Sequence, residues 1–181
     1  MVTVTIDGKK KEYPQGTTYE VIANEYQEQY GGLIALVAAN GKIRELFKKV
    51  KKDCTVTFFT LKDDVGHKTY VRAATMMFLK AVQSLFGQEA AQKCRVEFTI
   101  GHGYYIRSED EALSTAENAA AICKRMKELQ SGQIPFMKKS YSLGDAMDLF
   151  REQGMTDKEK LFRYRRSSFV NIYELDGYYD Y

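Results

Sequence analysis

The stretch Tyr70-Val71-Arg72-Ala73-Ala74-Thr75-Met76-Met77-Phe78-Leu79-Lys80-Ala81-Val82-Gln83-Ser84-Leu85-Phe86-Gly87 decides how the chain is read. Val71, Thr75, Phe78, Leu79, Val82, Leu85 and Phe86 recur at steps of three and four, the spacing of one apolar stripe on a helix, and Gly87 is suited to end it. Such a helix belongs inside a domain. Arg72 and Met76 stand four apart beside the stripe, on a face that can point into a cleft.

The length of 181 residues and 44% hydrophobic content allow a real core and favour one or two small domains. No run approaches the roughly 18 apolar residues of a membrane helix, and the N-terminus reads as a strand rather than a signal peptide. A cytoplasmic protein without a membrane partner is expected. Cys54, Cys94 and Cys123 are odd in number with no close pair, which suits reduced and mostly buried thiols. The net charge is only +3, but lysines cluster at Lys9-Lys10-Lys11 and at Lys48, Lys49, Lys51 and Lys52. Such clusters either solvate a face or contact phosphates. Arg163, Arg165 and Arg166 with Tyr164 form a basic-aromatic cluster that can hold a phosphate backbone or stack on bases; alternation on an exposed strand explains it as well.

Outward from the central stretch, the N-terminal third reads as strands around one helix. Val2, Val4 and Ile6 alternate, Asp7-Gly8 signals a tight hairpin, and 10–13 can return antiparallel. Thr17 with Glu20 has capping-box spacing ahead of a short helix bearing Val21, Ile22 and Tyr26. Residues 33–39 read as a buried strand followed by an Asn40-Gly41 turn, and 55–60 as another strand. Together they describe a half-barrel sheet wrapped on one helix. Residues 62–67 form a polar connection and a domain boundary. Beyond Gly87, Val96, Phe98 and Ile100 alternate into a Gly101-His102-Gly103 turn and a returning strand at 104–107. Ser114 with Glu117 again has capping-box spacing, opening a helix with Ala116, Ala120, Cys123 and Met126 or Leu129 inward, stopped by Gly132. Residues 134–140 read as an edge strand because of Pro135. Ser142 and Asp145 open a helix carrying Ala146, Leu149 and Phe150, a short helix spans 157–162, and 168–173 form a last strand.

Val-Thr-Ile-Asp-Gly, then Tyr-Pro-Gln-Gly-Thr-Thr, then Ala-Leu-Val-Ala-Ala-Asn-Gly-Lys-Ile, then a strand ending at Asp63, resembles a TGS domain, the β-grasp module at the N-terminus of threonyl-tRNA synthetases, over 1–62. That resemblance implies an accessory module that binds or positions RNA or ligands. The helix at 70–87, the Gly-x-Gly-Tyr-Tyr hairpin, the alanine-rich helix, a strand with two lysines and a Ser-x-x-Asp-Ala-x-x-x-Phe helix resemble the second domain of the same synthetases. Related modules hydrolyse mischarged tRNA. The expected fold is α+β: a β-grasp domain at 1–62, then an editing-like domain at 66–181 that is truncated at its C-terminus.

In the active family the central helix carries His-x-x-x-His and a late strand supplies Cys-x-x-x-His. The resemblance places these positions at Arg72, Met76, Tyr173 and Gly177, so all four have changed. Guanidinium offers no lone pair, and a lone thioether is a poor zinc ligand or base. No catalytic residue and no metal site is expected, and His67 and His102 read as surface histidines. Arg72, Met76 and Tyr173 become candidate ligand contacts, with Arg72 either holding an anion or making a structural ion pair. Lys48, Lys49, Lys51, Lys52, Arg163, Arg165 and Arg166 become candidate phosphate or RNA contacts.

The tyrosine-rich ending Tyr173-Glu174-Leu175-Asp176-Gly177-Tyr178-Tyr179-Asp180-Tyr181 resembles that of uridine kinase-like proteins, in which both modules precede a phosphoribulokinase/uridine kinase domain. That resemblance implies a non-catalytic regulatory or ligand-binding region whose partner is a kinase domain absent from these residues. It implies no cofactor in this chain, and ATP with magnesium in the parent nucleoside kinase, a transferase. No Gly-x-x-x-x-Gly-Lys-Ser/Thr loop occurs here. A hydrolase editing mischarged tRNA and an RNA-binding module are the two alternatives.

Overall fold

Asp7 and Gly8 both take positive φ, 49° and 77°, the backbone that a two-residue hairpin turn requires. They join β1 (Val2–Ile6) to β2 (Lys9–Tyr13) in antiparallel register, Ile6 opposite Lys9 and Val2 opposite Tyr13. The computed structural model describes residues 1–101 and 103–181, so His102 lies outside the described residues. The chain divides into two compact units, Met1–Ala73 and Ala74–Tyr181.

In the first unit α1 (Tyr19–Tyr26) follows β2, and β3 (Ile34–Ala39), β4 (Lys42–Glu45) and β5 (Cys54–Thr60) complete a sheet of order β2-β1-β5-β3-β4. β1 and β5 run parallel and the other pairs antiparallel, so the sheet is mixed. Val2, Val4 and Ile6 of β1, Val56 and Phe58 of β5, and Tyr19, Ile22 and Ala23 of α1 are buried together. One expectation changes here. The α1 cap is Thr18, whose hydroxyl accepts from the Val21 N–H at 3.4 Å, because the Thr17 hydroxyl already donates to the Pro14 carbonyl at 2.8 Å. Val21 faces outward, half exposed, while Ile22 is buried.

The polar segment read as a connection is helical: α2 runs Asp64–Phe86 and carries His67. Its start is fixed by Asp63, whose carboxylate accepts from the Thr60 N–H at 2.7 Å and the Thr60 hydroxyl at 2.9 Å while its carbonyl accepts from the His67 N–H. Gly66 makes the close approach possible, since a Cβ there would lie 2.0 Å from the Thr60 carbonyl oxygen. The inward face of α2 also differs from the stripe. Met76, Leu79, Ala81 and Val82 are buried while Leu85 is exposed. Gly87, at φ 88°, follows the helix.

The second unit continues with a short α3 (Gln88–Gln92), a hairpin of β6 (Cys94–Ile100) and β7 (Gly103–Ser108), and α4 (Ala116–Ser131). β8 (Met137–Ser142), α5 (Leu143–Glu152), α6 (Thr156–Phe162), β9 (Phe169–Leu175) and β10 (Tyr178–Asp180) complete it. β8 is an edge of the antiparallel sheet β10-β9-β8, but it starts later than the expected 134–140, so Pro135 lies outside the strand. Met76, Leu79 and Val82 share one core with Ile122, Leu129, Phe150, Phe162, Val170, Ile172 and Tyr178. The Phe150 and Phe162 rings meet at 5.4 Å with no exposure, each contributing about 1.5–3 kcal/mol by burial. On α4 the cap is Thr115, one residue after the expected Ser114, and Ile122 and Leu129 point inward while Cys123 is exposed. Cys54 is buried and Cys94 intermediate, so only one of the three thiols is fully within a core. The architecture is α+β, with a mixed sheet in the first unit.

Candidate functional site

In the second unit α2 places Met76 and Lys80 four residues apart, hence on one side of the helix. Arg72 lies in the first unit, before the boundary between Ala73 and Ala74. Arg72 is exposed, and its guanidinium has no hydrogen bond or ion pair among the described residues. Met76 is 6% exposed within the second core, where it fills space rather than lining an opening. Tyr173 is half buried on β9, directly across from Lys138, whose ammonium lies 5.2 Å from the ring centroid.

Lys80 is the polar centre of this region, and sequence reasoning missed it. Its ammonium donates to the Asp176 carbonyl at 2.5 Å and to Gln83 Oε1 at 3.2 Å, and lies 3.4 Å from the Asp176 carboxylate. Three acceptors therefore meet its three donors. Gln83 donates onward to Gln88 at 2.7 Å, and Gln88 and Gln92 both donate to the Gln153 carbonyl, at 3.2 and 2.8 Å. This polar chain ties α2 to α3, to the end of α5 and to the β9–β10 turn. The turn is Asp176-Gly177, at φ 49° and 78°, so the position expected near a lost histidine is occupied by a hairpin corner held to α2. Tyr178 follows it into the core, and burial pushes its phenol well above the usual range. A signal was available: Lys80 interrupts an apolar run four residues after Met76.

The candidate phosphate contacts lie on two separate units. In the first, Lys48, Lys49, Lys51 and Lys52 are exposed on either side of the fully buried Val50. Val50 is pinned through its N–H to the Thr17 carbonyl at 2.8 Å, and its own carbonyl accepts from the Gly16 N–H at 2.9 Å. Lys48 also lies 4.9 Å from the Phe47 ring centroid. In the second unit the arginines divide. Arg163 and Arg151 each lie 3.0 Å from the largely buried carboxylate of Glu159, and Arg165 stands 4.6 Å over the Tyr181 ring. Hydrogen bonds from Arg151 and then Arg163 hold Glu159 below the usual carboxylate range. Arg166 is exposed. No group of three His, Cys, Asp or Glu side chains is placed to hold a metal ion among the described residues. No described helix is long and apolar enough to cross a membrane.

No protein-family model matches the chain. Curated relatives are found, threonine–tRNA ligases among them. That of Thermotoga maritima is 28% identical over 176 residues, covering 92% of this chain and 27% of the relative. That of Syntrophomonas wolfei is 24% identical over 95% of this chain and 28% of the relative, and that of Maricaulis maris 26% identical over 99% and 28%. These relatives lend the uridine kinase expectation no support, nor the ATP and magnesium that came with it. The chain spans a little over a quarter of the length of the relatives it matches, and over most of its own length it is homologous to the N-terminal region of threonine–tRNA ligases.

Proposed function

We propose that the chain is a non-catalytic tRNA-recognition module of the threonyl-tRNA synthetase N-terminal type, a TGS-like unit followed by an editing-like unit that has lost its chemistry. The observation that carries the reading is the state of α2 around Met76. Hydrolysis needs a base, a nucleophile or a metal-bound water within reach of the ester. Here Met76 is buried in the core, and the ammonium of Lys80 is spent on Asp176 and Gln83. Neither side chain is available there as a base or a metal ligand. RNA is the ligand class favoured by the homology and by the four lysines around Val50, which a pinned backbone presents outward at no further ordering cost to the loop.

The homology itself favours a second reading, hydrolysis of mischarged tRNA. One pair of assays separates them. The chain should bind tRNA with an affinity that falls steeply as salt rises. Replacing Lys48, Lys49, Lys51 and Lys52 with alanine should flatten that salt dependence, its log–log slope falling by about 0.7 to 0.9 for each phosphate no longer neutralised. The chain should release no amino acid from mischarged tRNA. Turnover above the uncatalysed rate would establish the hydrolase instead, and salt-independent binding would remove the lysines from the interface.

A further inference from the structure

Tyr164 is 87% exposed, more than any other large apolar side chain among the described residues. A ring held this far into water makes no packing contribution in its own unit. Its backbone is nonetheless well fixed. Phe162 before it is fully buried and Val170 after it nearly so. The Arg163, Tyr164 and Arg165 N–H groups donate back to Lys160, Leu161 and Phe162 at 3.1 to 3.4 Å, and the Ser168 carbonyl accepts from the Leu143 N–H at 3.1 Å.

Charge around the ring is one-sided. The acids of this segment are matched within the unit, Asp157 by Arg95 at 3.5 Å and Glu159 by Arg151 and Arg163 at 3.0 Å. Lys160 and Arg166 have no ion-pair partner among the described residues, and Arg165 is held only against the Tyr181 ring. A planar aromatic face projecting from a fixed loop, with surplus cations on both sides of it in sequence, complements a polyanion that carries exposed planar faces. Unpaired nucleotides have both features; bases inside a duplex are already stacked above and below and offer no face.

We propose that the loop at 163–168 is a stacking site for an unpaired nucleotide of single-stranded RNA, with Tyr164 as the platform and Arg166 and Lys160 on the flanking phosphates. The assignment rests on the RNA-recognition reading above and gives it a position. The chain contains no tryptophan, so Tyr164→Trp supplies a unique fluorescent reporter, and the full chain can be titrated with a labelled single-stranded oligoadenylate and with a blunt RNA duplex. Expected are quenching of the introduced indole emission by the single strand, a loss of single-strand affinity of about 5- to 100-fold in Tyr164→Leu, and near-full affinity in Tyr164→Phe. The melting midpoint of each variant should match the parent, since the ring is outside the core. Unchanged single-strand affinity in Tyr164→Leu overturns the site while leaving RNA recognition through the lysine loop intact. Failure of both RNAs and of tRNA to bind the parent chain overturns the RNA reading itself. Binding of phosphatidylserine vesicles that is lost in Tyr164→Leu, with RNA affinity unaffected, reassigns the loop to an anionic membrane surface.

Discussion

Lys80→Met removes three polar interactions while keeping most of the buried stem. Because the Asp176 carbonyl and Gln83 then lose a charged donor, the second unit should become less stable by about 1–3 kcal/mol. Asp176→Asn keeps the main-chain acceptor and should cost less. A urea titration read by circular dichroism checks both, and equal losses would show that the carboxylate, not the carbonyl, matters most. Glu159 gives a pH signature. Its folded carboxyl is held below its ordinary value by Arg151 and Arg163, so the folded protein releases that proton more readily than the unfolded chain. The stabilisation is complete above the ordinary carboxylate value of about 4.5 and is lost as pH falls through the lower folded value. Thermal melts between neutral pH and about pH 3 should show Glu159→Gln losing part of the acid dependence, and identical slopes for variant and parent would refute the pairing.

Helix ends and faces show where the sequence is legible at the level of the element and where it is not. Both capping boxes mark real helix starts, yet both caps lie one residue later, at Thr18 and Thr115. Each site is a doublet of hydroxyl residues, and the Glu that completes the box favours the first of the two on spacing alone. Which hydroxyl is free depends on the preceding turn, as Thr17 shows by bonding to Pro14. Thr115→Ala should therefore cost about 0.5–2 kcal/mol and reduce helicity, whereas Ser114→Ala should change neither appreciably. A circular dichroism melt that ranks them the other way would restore the earlier cap. The inward face of α4 is hard to read because alanine marks no face strongly and Cys123 counts as apolar. Ile122, Met126 and Leu129 carry the correct spacing. Asp176-Gly177 is the same dipeptide signal as Asp7-Gly8, but tyrosines follow it without alternation, so the sequence does not announce the returning β10.

Across the whole molecule, the hairpins, the buried strands and the order of elements follow from alternation and turn chemistry, which are local. The region around Met76 does not, because it depends on the pairing of Lys80 with Asp176, 96 residues apart. The resemblance read from the sequence singles out Arg72, Met76, Tyr173 and Gly177; it does not tell what surrounds them. Met76 lies within the core of the second unit and the Asp176-Gly177 turn is held to Lys80, and this has a consequence for metal binding. A resident ion that bound only the folded chain would raise stability with its concentration, by about 2.7 kcal/mol at roughly one hundred times its dissociation constant. Since no described trio of His, Cys, Asp or Glu side chains converges, EDTA should leave the melting midpoint unchanged and added zinc should not raise it. A zinc-dependent rise abolished by EDTA would mean that donors converge in solution in a way the buried Met76 and the Lys80–Asp176 pairing do not allow. That result would move the chain from recognition back toward hydrolysis, because a bound zinc ion could supply the activated water that none of these side chains provides.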